Sequence, residues 1–405
     1  MQESFVIVGA NLAGGRAAQA LRQEGFTGRV VLVGAEPHLP YERPPLSKDL
    51  LLGKQVPADL QIADSQSWTD QDIDVRLGVR VRRLLTAEQA VETEDGERIK
   101  ADKVLLCTGG QARRLDVEGH DLDGVHYLRS LDDALVLRGE LVPGARVTVV
   151  GAGFVGAEVA ASAHALGCHV TILEIAELPL QRVLGPSLGR IFASVHRDRG
   201  VELRLRTGVR RIVGDERVHH VVTTDGDVIE SDVVVVGIGI NPAVELAEQA
   251  GARVGNGILV DEFCATSLDG LYAAGDVANH PNPLVGERVR LESWQNAQNQ
   301  GIAAARSMLG RREPYAEVPW FWSDQYDLNL QMAGHPQSGD ELVWRGDVEG
   351  LAFSVFFVRA GILRAALAIN RPRDVRAAIG LIERRAAVSP EALRDPGTDL
   401  RKITA

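Results

Sequence analysis

Two glycine-rich turns hold the residue types whose spacing points most directly to chemistry. The first, VIVGANLAGGRAAQALR (residues 6–22), has Gly9 and Gly14 at the outer positions of a G-x-G-x-x-G turn, with Asn11 in the middle. The second opens VTVVGAGFVGAEVA and carries Gly151, Gly153 and Gly156 unbroken. In such a turn the first glycine makes the bend, the second admits a pyrophosphate, and the third lets the helix lie close to its strand. Phosphate oxygens then meet the free N–H groups and positive dipole end of the helix. Asparagine tolerates left-handed backbone angles better than most residues, so the bend is expected to survive at Asn11. Its amide would also be free to donate to a phosphate.

About 20 residues beyond each turn an acid closes a β-branched run, Glu36 in RVVLVGAE and Glu174 in HVTILE. A carboxylate there accepts from the two ribose hydroxyls of an adenosine. No arginine follows Glu174 in EIAELP, which favours NAD over NADP at the second turn. Two dinucleotide sites in one chain suggest a resident flavin and a diffusible nicotinamide, a logic that a hydroxylase and a reductase would share.

The elements that must position these residues form an internal repeat. Residues 6–36 and 147–177 each read as strand, glycine turn, small-residue helix and second strand, the βαβ pattern of a parallel sheet. Residues 75–106 and 201–239 then read as short antiparallel strands leading back to one main-sheet strand. From about 320 the pattern changes to a small antiparallel sheet, an amphipathic helix in RDVRAAIGLIERRA and a polar tail after 389. The expected class is α/β, with two Rossmann-like dinucleotide-binding domains and a C-terminal α+β domain. The expected boundaries are 1–115 with 246–319 for a discontinuous FAD domain, 116–245 for an NADH domain and 320–405 for the third.

The chain has 405 residues, 44 basic and 55 acidic, for a net charge of -11, which argues against a nucleic-acid partner. The alanine-rich run at 147–167 is interrupted by Glu158 and His164, so no membrane span is expected. Residues 4–9 read as a strand entering a turn, not as a secretory signal. Cys107, Cys168 and Cys264 are too scattered for a disulfide framework, which points to a reducing, cytoplasmic setting. A disulfide reductase would need a thiol soon after the first βαβ unit. That region reads PPLSKDLL, with Ser47 and no cysteine before 107.

A set of motifs spanning the chain resembles the oxygenase-coupled NADH:ferredoxin reductases, which include putidaredoxin, rubredoxin and biphenyl-dioxygenase ferredoxin reductases. The motifs are PYERPPLSK (40–48), LLCTGG (105–110), YLRSLDDA (127–134), GAGFVGAEVA (151–160), VVVGIGINP (234–242), LYAAGDVA (271–278), RLESWQNAQNQG (290–301) and VPWFWSDQYD (318–327). Asn11 is a mild departure from the small residue usual there. The resemblance implies that Gly9, Asn11, Ala13, Gly14, Glu36 and Val81 contact the FAD pyrophosphate, ribose and adenine. It places Arg43, Lys48, Thr108, Gly109, Arg129, Gly275, Asp276, Trp294 and Trp322 around the flavin, with Lys48 near flavin N5.

The same resemblance puts NADH on Gly151, Gly153, Phe154, Val155, Gly156, Glu158, Glu174, Arg182, Gly239 and Glu292. Lys48 and Glu158 become the catalytic candidates; without the surrounding motifs they read as a surface ion pair, and the tryptophans as core. The implied partner is a [2Fe–2S] ferredoxin, or a rubredoxin, feeding a haem-thiolate monooxygenase or a ring-hydroxylating dioxygenase. The implied assembly is a monomer or weak dimer. A remoter alternative is an NADH-responsive interaction protein like apoptosis-inducing factor. An acidic ferredoxin would need a local basic patch, for which Arg311, Arg312, Arg371 and Arg373 are the candidates.

Overall fold

The computed structural model describes residues 2–403. Strand β1 (Ser4–Val8) is buried at every position and leads through the first glycine turn into α1 (Leu12–Gln23). Strands β2 (Arg29–Val33), β3 (Ile73–Arg76) and β4 (Lys103–Leu106) join β1 in one parallel sheet. The sequence reading began its antiparallel strands at residue 75 and returned them to one main-sheet strand, which is β4; it did not foresee β3, which extends the parallel sheet beside β2. The antiparallel excursion is a separate small sheet of Val81–Leu85, Ala90–Thr93 and Arg98–Lys100.

The second unit repeats the first. Strand β5 (Arg146–Val150) feeds α2 (Phe154–Ala165), followed by β6 (His169–Glu174), α3 (Gln181–Asp198), β7 (Glu202–Leu205) and β8 (Val233–Val236). The strands lie parallel in the order β7-β6-β5-β8, with the short strand Val125–His126 at the edge. The chain then returns to the first sheet, where β9 (Leu271–Ala273) pairs with β4. Helix α4 (Trp294–Met308) lies against α1 so closely that a Cβ on Gly301 would fall 2.4 Å from the Ala13 carbonyl oxygen. That contact requires glycine.

The third unit is a five-stranded antiparallel sheet of β10 (Trp320–Gln325), β11 (Leu328–Gly334), β12 (Glu341–Asp347), β13 (Ala352–Arg359) and β14 (Ile362–Ile369). Helix α5 (Pro372–Glu383) packs one face of this sheet, and side chains of α3, including Leu184, Leu188 and Phe192, pack the other. The segment after 389, expected as a polar tail, is docked. Leu393 and Leu400 are buried with α5, and the buried Arg345 guanidinium donates to the carbonyls of Leu393, Asp395, Pro396 and Thr398. Spaced single leucines and one distant arginine suffice to hold it down, a pattern with no helical or strand period.

Candidate functional site

Both glycine turns bend at their first glycine, Gly9 at φ 116° and Gly151 at φ 98°. At the third glycine the helix comes within reach of the turn: a Cβ on Gly14 would lie 2.0 Å from the Gly9 oxygen, and one on Gly156 2.0 Å from the Gly151 oxygen. The middle position differs from the sequence expectation. Asn11 is extended (φ -115°, ψ -167°), as is Gly153 in the intact copy (φ -77°, ψ -176°). No left-handed angle is needed there, so a side chain is tolerated for a simpler reason than the one expected. Asn11 is the N-cap of α1: its Oδ1 accepts from Gly14 N at 3.2 Å and its Nδ2 donates to the Cys107 carbonyl at 2.5 Å. The amide expected to face a phosphate thus ties the turn to the loop after β4.

Glu36 also departs from expectation. Strand β2 ends at Val33, and Glu36 sits three residues beyond it in a loop. Its carboxylate accepts from Tyr41 OH at 2.6 Å and from Arg43 at 2.5 Å. Burial alone would raise its pKa, but the Arg43 charge and the Tyr41 and Arg43 hydrogen bonds outweigh that and hold it below the usual carboxylate value. Glu174 does end its strand. Its two oxygens accept from Ala152 N at 2.7 Å and Ala176 N at 2.8 Å, which points the carboxylate at the mouth of the second glycine turn. Beside it Ile175 is 78% exposed, an apolar side chain in water that the sequence reading passed over.

A cavity of about 250 Å³ opens between the N-terminal ends of α1, α2 and α4. Asn11, Ala13, Arg43, Lys48 and Gly109 line it from the first unit, and Arg129 from the segment just after the Val125–His126 edge strand. Phe154, Val155 and Glu158 approach from α2, Gly275, Asp276, Glu292 and Trp294 from the return segment, and Trp322 from β10. The remaining candidates lie elsewhere. Gly9, Gly14, Gly151, Gly153 and Gly156 form the turns, and Val81 is buried in the core of the first unit. Thr108 donates its hydroxyl to the Ala243 carbonyl, while Gly239 and Arg182 are exposed beyond the cavity wall.

The charges in the cavity are paired. Arg129 meets Asp276 at 3.1 Å, and Glu292 meets Arg290 at 2.7 Å. Lys48, in a loop just after the 3₁₀ turn Pro44–Ser47, places Nζ 3.2 Å from Glu158 Oε1, 4.0 Å from Asp324 and 5.3 Å from the Trp322 ring centre. Glu158 is only 6% exposed, and burial pushes its pKa up against the opposing pull of Lys48 and two hydroxyls. The pair is therefore an interior one, not the surface ion pair that the residues alone suggested. Trp322 stacks on Trp320 at 5.2 Å and meets Trp294 edge-on at 6.1 Å. Trp294 Nε1 is buried and finds no acceptor among the described residues, a donor left over on the cavity wall. Sequence reasoning missed Phe321, Ser323 and Asp324; the alternation of WFWSD along an edge strand was the available signal.

Of the three cysteines only Cys107 lies at the cavity among the described residues, and its thiol is held protonated by burial. All three cysteines are free and buried, and burial pushes the thiol pKa values of Cys107 and Cys264 far up, the latter to about 12. The first pair of docking candidates is also misplaced. Arg311 pairs with Glu24 at the far end of α1, and Arg312 lies over the Phe263 ring. Since α4 runs from Trp294 at the cavity to Met308, those arginines sit about 20 Å away along the helix.

Residues 3–301 match the family described as pyridine nucleotide-disulphide oxidoreductase, and residues 320–404 match the reductase C-terminal family. The ferredoxin--NAD(+) reductase component of an anthranilate 1,2-dioxygenase system from Burkholderia cepacia is 43% identical over 98% of each chain. The chain belongs to the ferredoxin reductases of this oxidoreductase family. A ferredoxin--NAD(P)(+) reductase from a Sphingomonas species is 42% identical, over 98% of this chain and 97% of that protein. Among solved structures of the family, the covalent putidaredoxin reductase–putidaredoxin complex superposes with a TM-score of 0.95 at 35% identity, covering 99% of this chain and 98% of that one. Family membership spans both glycine turns and the C-terminal sheet, so the cavity where they meet is enclosed by matched sequence on every side.

Proposed function

We propose that this chain is an FAD-dependent NADH:ferredoxin oxidoreductase, passing electrons from NADH to a [2Fe–2S] ferredoxin that serves an oxygenase in the cytoplasm. The observation that carries this reading is the cavity at which the two nucleotide units and the third sheet converge on Lys48, Glu158 and two tryptophans. FAD is assigned to residues 1–115 with 246–319, and NADH to 116–245. The residues suit the flavin: a free helix start at Leu12–Ala13, cations at Arg43 and Arg129, the Asp276 acceptor and the unpartnered Trp294 donor.

When bound, FAD supplies the conversion of a two-electron hydride donor into a one-electron reductant. The chain supplies orientation and charge. Lys48 places an ammonium against the cavity wall, where a fixed positive charge favours negative charge developing beside it. Glu158 holds that ammonium and lies at the α2 wall, where the nicotinamide of NADH would enter from the second glycine turn. Trp294, Trp322 and Phe321 line the cavity with apolar surface that would keep water from the reacting groups, which hydride transfer needs at about 3–3.5 Å. Glu174, with its carboxylate already oriented by two N–H groups, accepts from the adenosine ribose.

The test is NADH-dependent cytochrome c reduction by the yellow, FAD-loaded protein, with and without a panel of [2Fe–2S] ferredoxins and rubredoxins. A ferredoxin-dependent rate is expected. Rapid flavin reduction with no acceleration by any iron–sulfur partner would instead favour an NADH-responsive interaction protein.

A further inference from the structure

We propose that Ser47 and Ser323 are positioning residues that clamp the Glu158 carboxylate from two parts of the chain, and through it fix Lys48 at the cavity wall. This rests on the reading of Lys48 and Glu158 given above. A carboxylate as buried as Glu158 is costly unless both oxygens are satisfied, and it will neutralise itself where they are not. Here both are. Ser47 Oγ donates to Oε2 at 2.5 Å, while Ser323 Oγ donates at 2.7 Å to Oε1, the oxygen that also meets Lys48. Neither hydroxyl can be replaced by solvent, because Ser47 is 5% exposed and Ser323 is fully buried.

The direction of each donation is set by its surroundings. Gln325 Nε2 donates to Ser323 Oγ at 3.2 Å, which leaves the Ser323 proton for Glu158. The Ser47 proton has one alternative, the Pro44 carbonyl at 3.5 Å, too long to compete with 2.5 Å. The Ser47 carbonyl in turn accepts from Ser162 Oγ at 2.8 Å, one turn of α2 beyond Glu158, so the turn carrying Lys48 is bolted to the helix carrying its partner. Ser323 brings the third unit to the same point. Lys48 is the one charged group within ion-pair distance of Glu158 among the described residues, with Asp324 beyond it on β10. Losing either hydroxyl leaves a carboxylate oxygen short of a donor, frees the group to rotate and makes it easier to protonate.

The consequence is read in the pH dependence of hydride transfer. Hydrogen bonds to the charged form hold a carboxyl's pKa down, so their removal raises it, and the acidic loss of rate begins at higher pH. Anaerobic stopped-flow reduction of the bound FAD by NADH, from about pH 5 to about pH 9, compares the parent with Ser323→Ala, Ser323→Thr, Ser47→Ala and Glu158→Gln. The acidic midpoint should rise by about one unit in each alanine variant, the effect of one lost hydrogen bond to a charge. Ser323→Thr, which keeps the hydroxyl, should restore the parent midpoint at unchanged FAD content. Should Ser323→Ala fail to fold, Ser47→Ala reads the other oxygen. A parent-like profile in the alanine variants, with Glu158→Gln altered, overturns the clamp alone. A parent-like profile in Glu158→Gln removes the reading on which it rests.

Discussion

Replacing Asn11 separates capping from cofactor binding at the first turn. In Asn11→Ala the cap on Gly14 N is lost, about 1 kcal/mol, and the buried Cys107 carbonyl loses its donor, about 1 kcal/mol more. Asn11→Gly keeps most of the capping preference, so only the second loss remains, about 1 kcal/mol. The extended backbone at Asn11 accommodates all three residues, so no strain enters the comparison. Local opening of the α1 start should therefore rise about 5-fold in the glycine variant and about 30-fold in the alanine variant. Amide hydrogen exchange of the FAD-free protein, read at Leu12–Gly15, measures this directly. Both variants free the Gly14 N–H for a phosphate, so FAD affinity in Asn11→Gly should stay within about tenfold of the parent. Exchange at parent rates in both variants would refute the cap. A larger loss of FAD affinity in Asn11→Gly would show instead that the amide itself holds the pyrophosphate.

Three further outcomes are expected. NADH should be preferred over NADPH by about 100-fold or more in kcat/KM, because Glu174 offers the ribose diol a partner and a 2′-phosphate a clash; Glu174→Ala should collapse that ratio. A variant with Cys107, Cys168 and Cys264 all replaced by alanine or serine should keep the parent rate of flavin reduction once folded, and a stable, FAD-loaded variant that lost it would revive a thiol mechanism. Arg345→Met should cost about 3 kcal/mol, through lost donors to the Leu393, Pro396 and Thr398 carbonyls and a weakened Asp374 pairing. Limited trypsin digestion should then cut at Arg394 and Arg401 long before the rest of the chain, and equal resistance would mean the segment is held by Leu393 and Leu400 alone.

Much of this was legible because it is local. A buried β-branched strand, a glycine that must bend and a glycine that must let a helix approach occupy neighbouring positions, so the two nucleotide units could be read twice over. Glu174 was placed at its strand's end because the strand runs up to it, whereas β2 stops at Val33 and leaves Glu36 in a loop, its carboxylate held by Tyr41 and Arg43. What escaped depends on partners distant in sequence. Ser323 lies 165 positions from Glu158, and nothing near either residue marks them as a pair. Arg311 follows the helix that begins at the cavity, so it read as close to the flavin until the length and direction of α4 put it at the opposite end. Lone Leu393 and Leu400 carried no period by which a docked segment could be told from a tail.

The return of β9 to β4 across the inserted second unit has a consequence during synthesis. The first sheet has its β1–β4 core early, but its last strand, β9 from Leu271, and the helix α4 that covers α1, ending at Met308, are made only long after β4 ends at Leu106. At about 5–20 residues per second, that is a wait of about 10–40 s for a nascent chain. Throughout it the edge of β4, with Leu105 and Leu106 fully buried in the finished protein, is an open template for strand pairing. The second unit meanwhile has all its strands contiguous and can close first. Yield on overexpression should then be set by how well that waiting edge is shielded, and slowing translation before residue 271 should lower the soluble fraction more than slowing it after Met308.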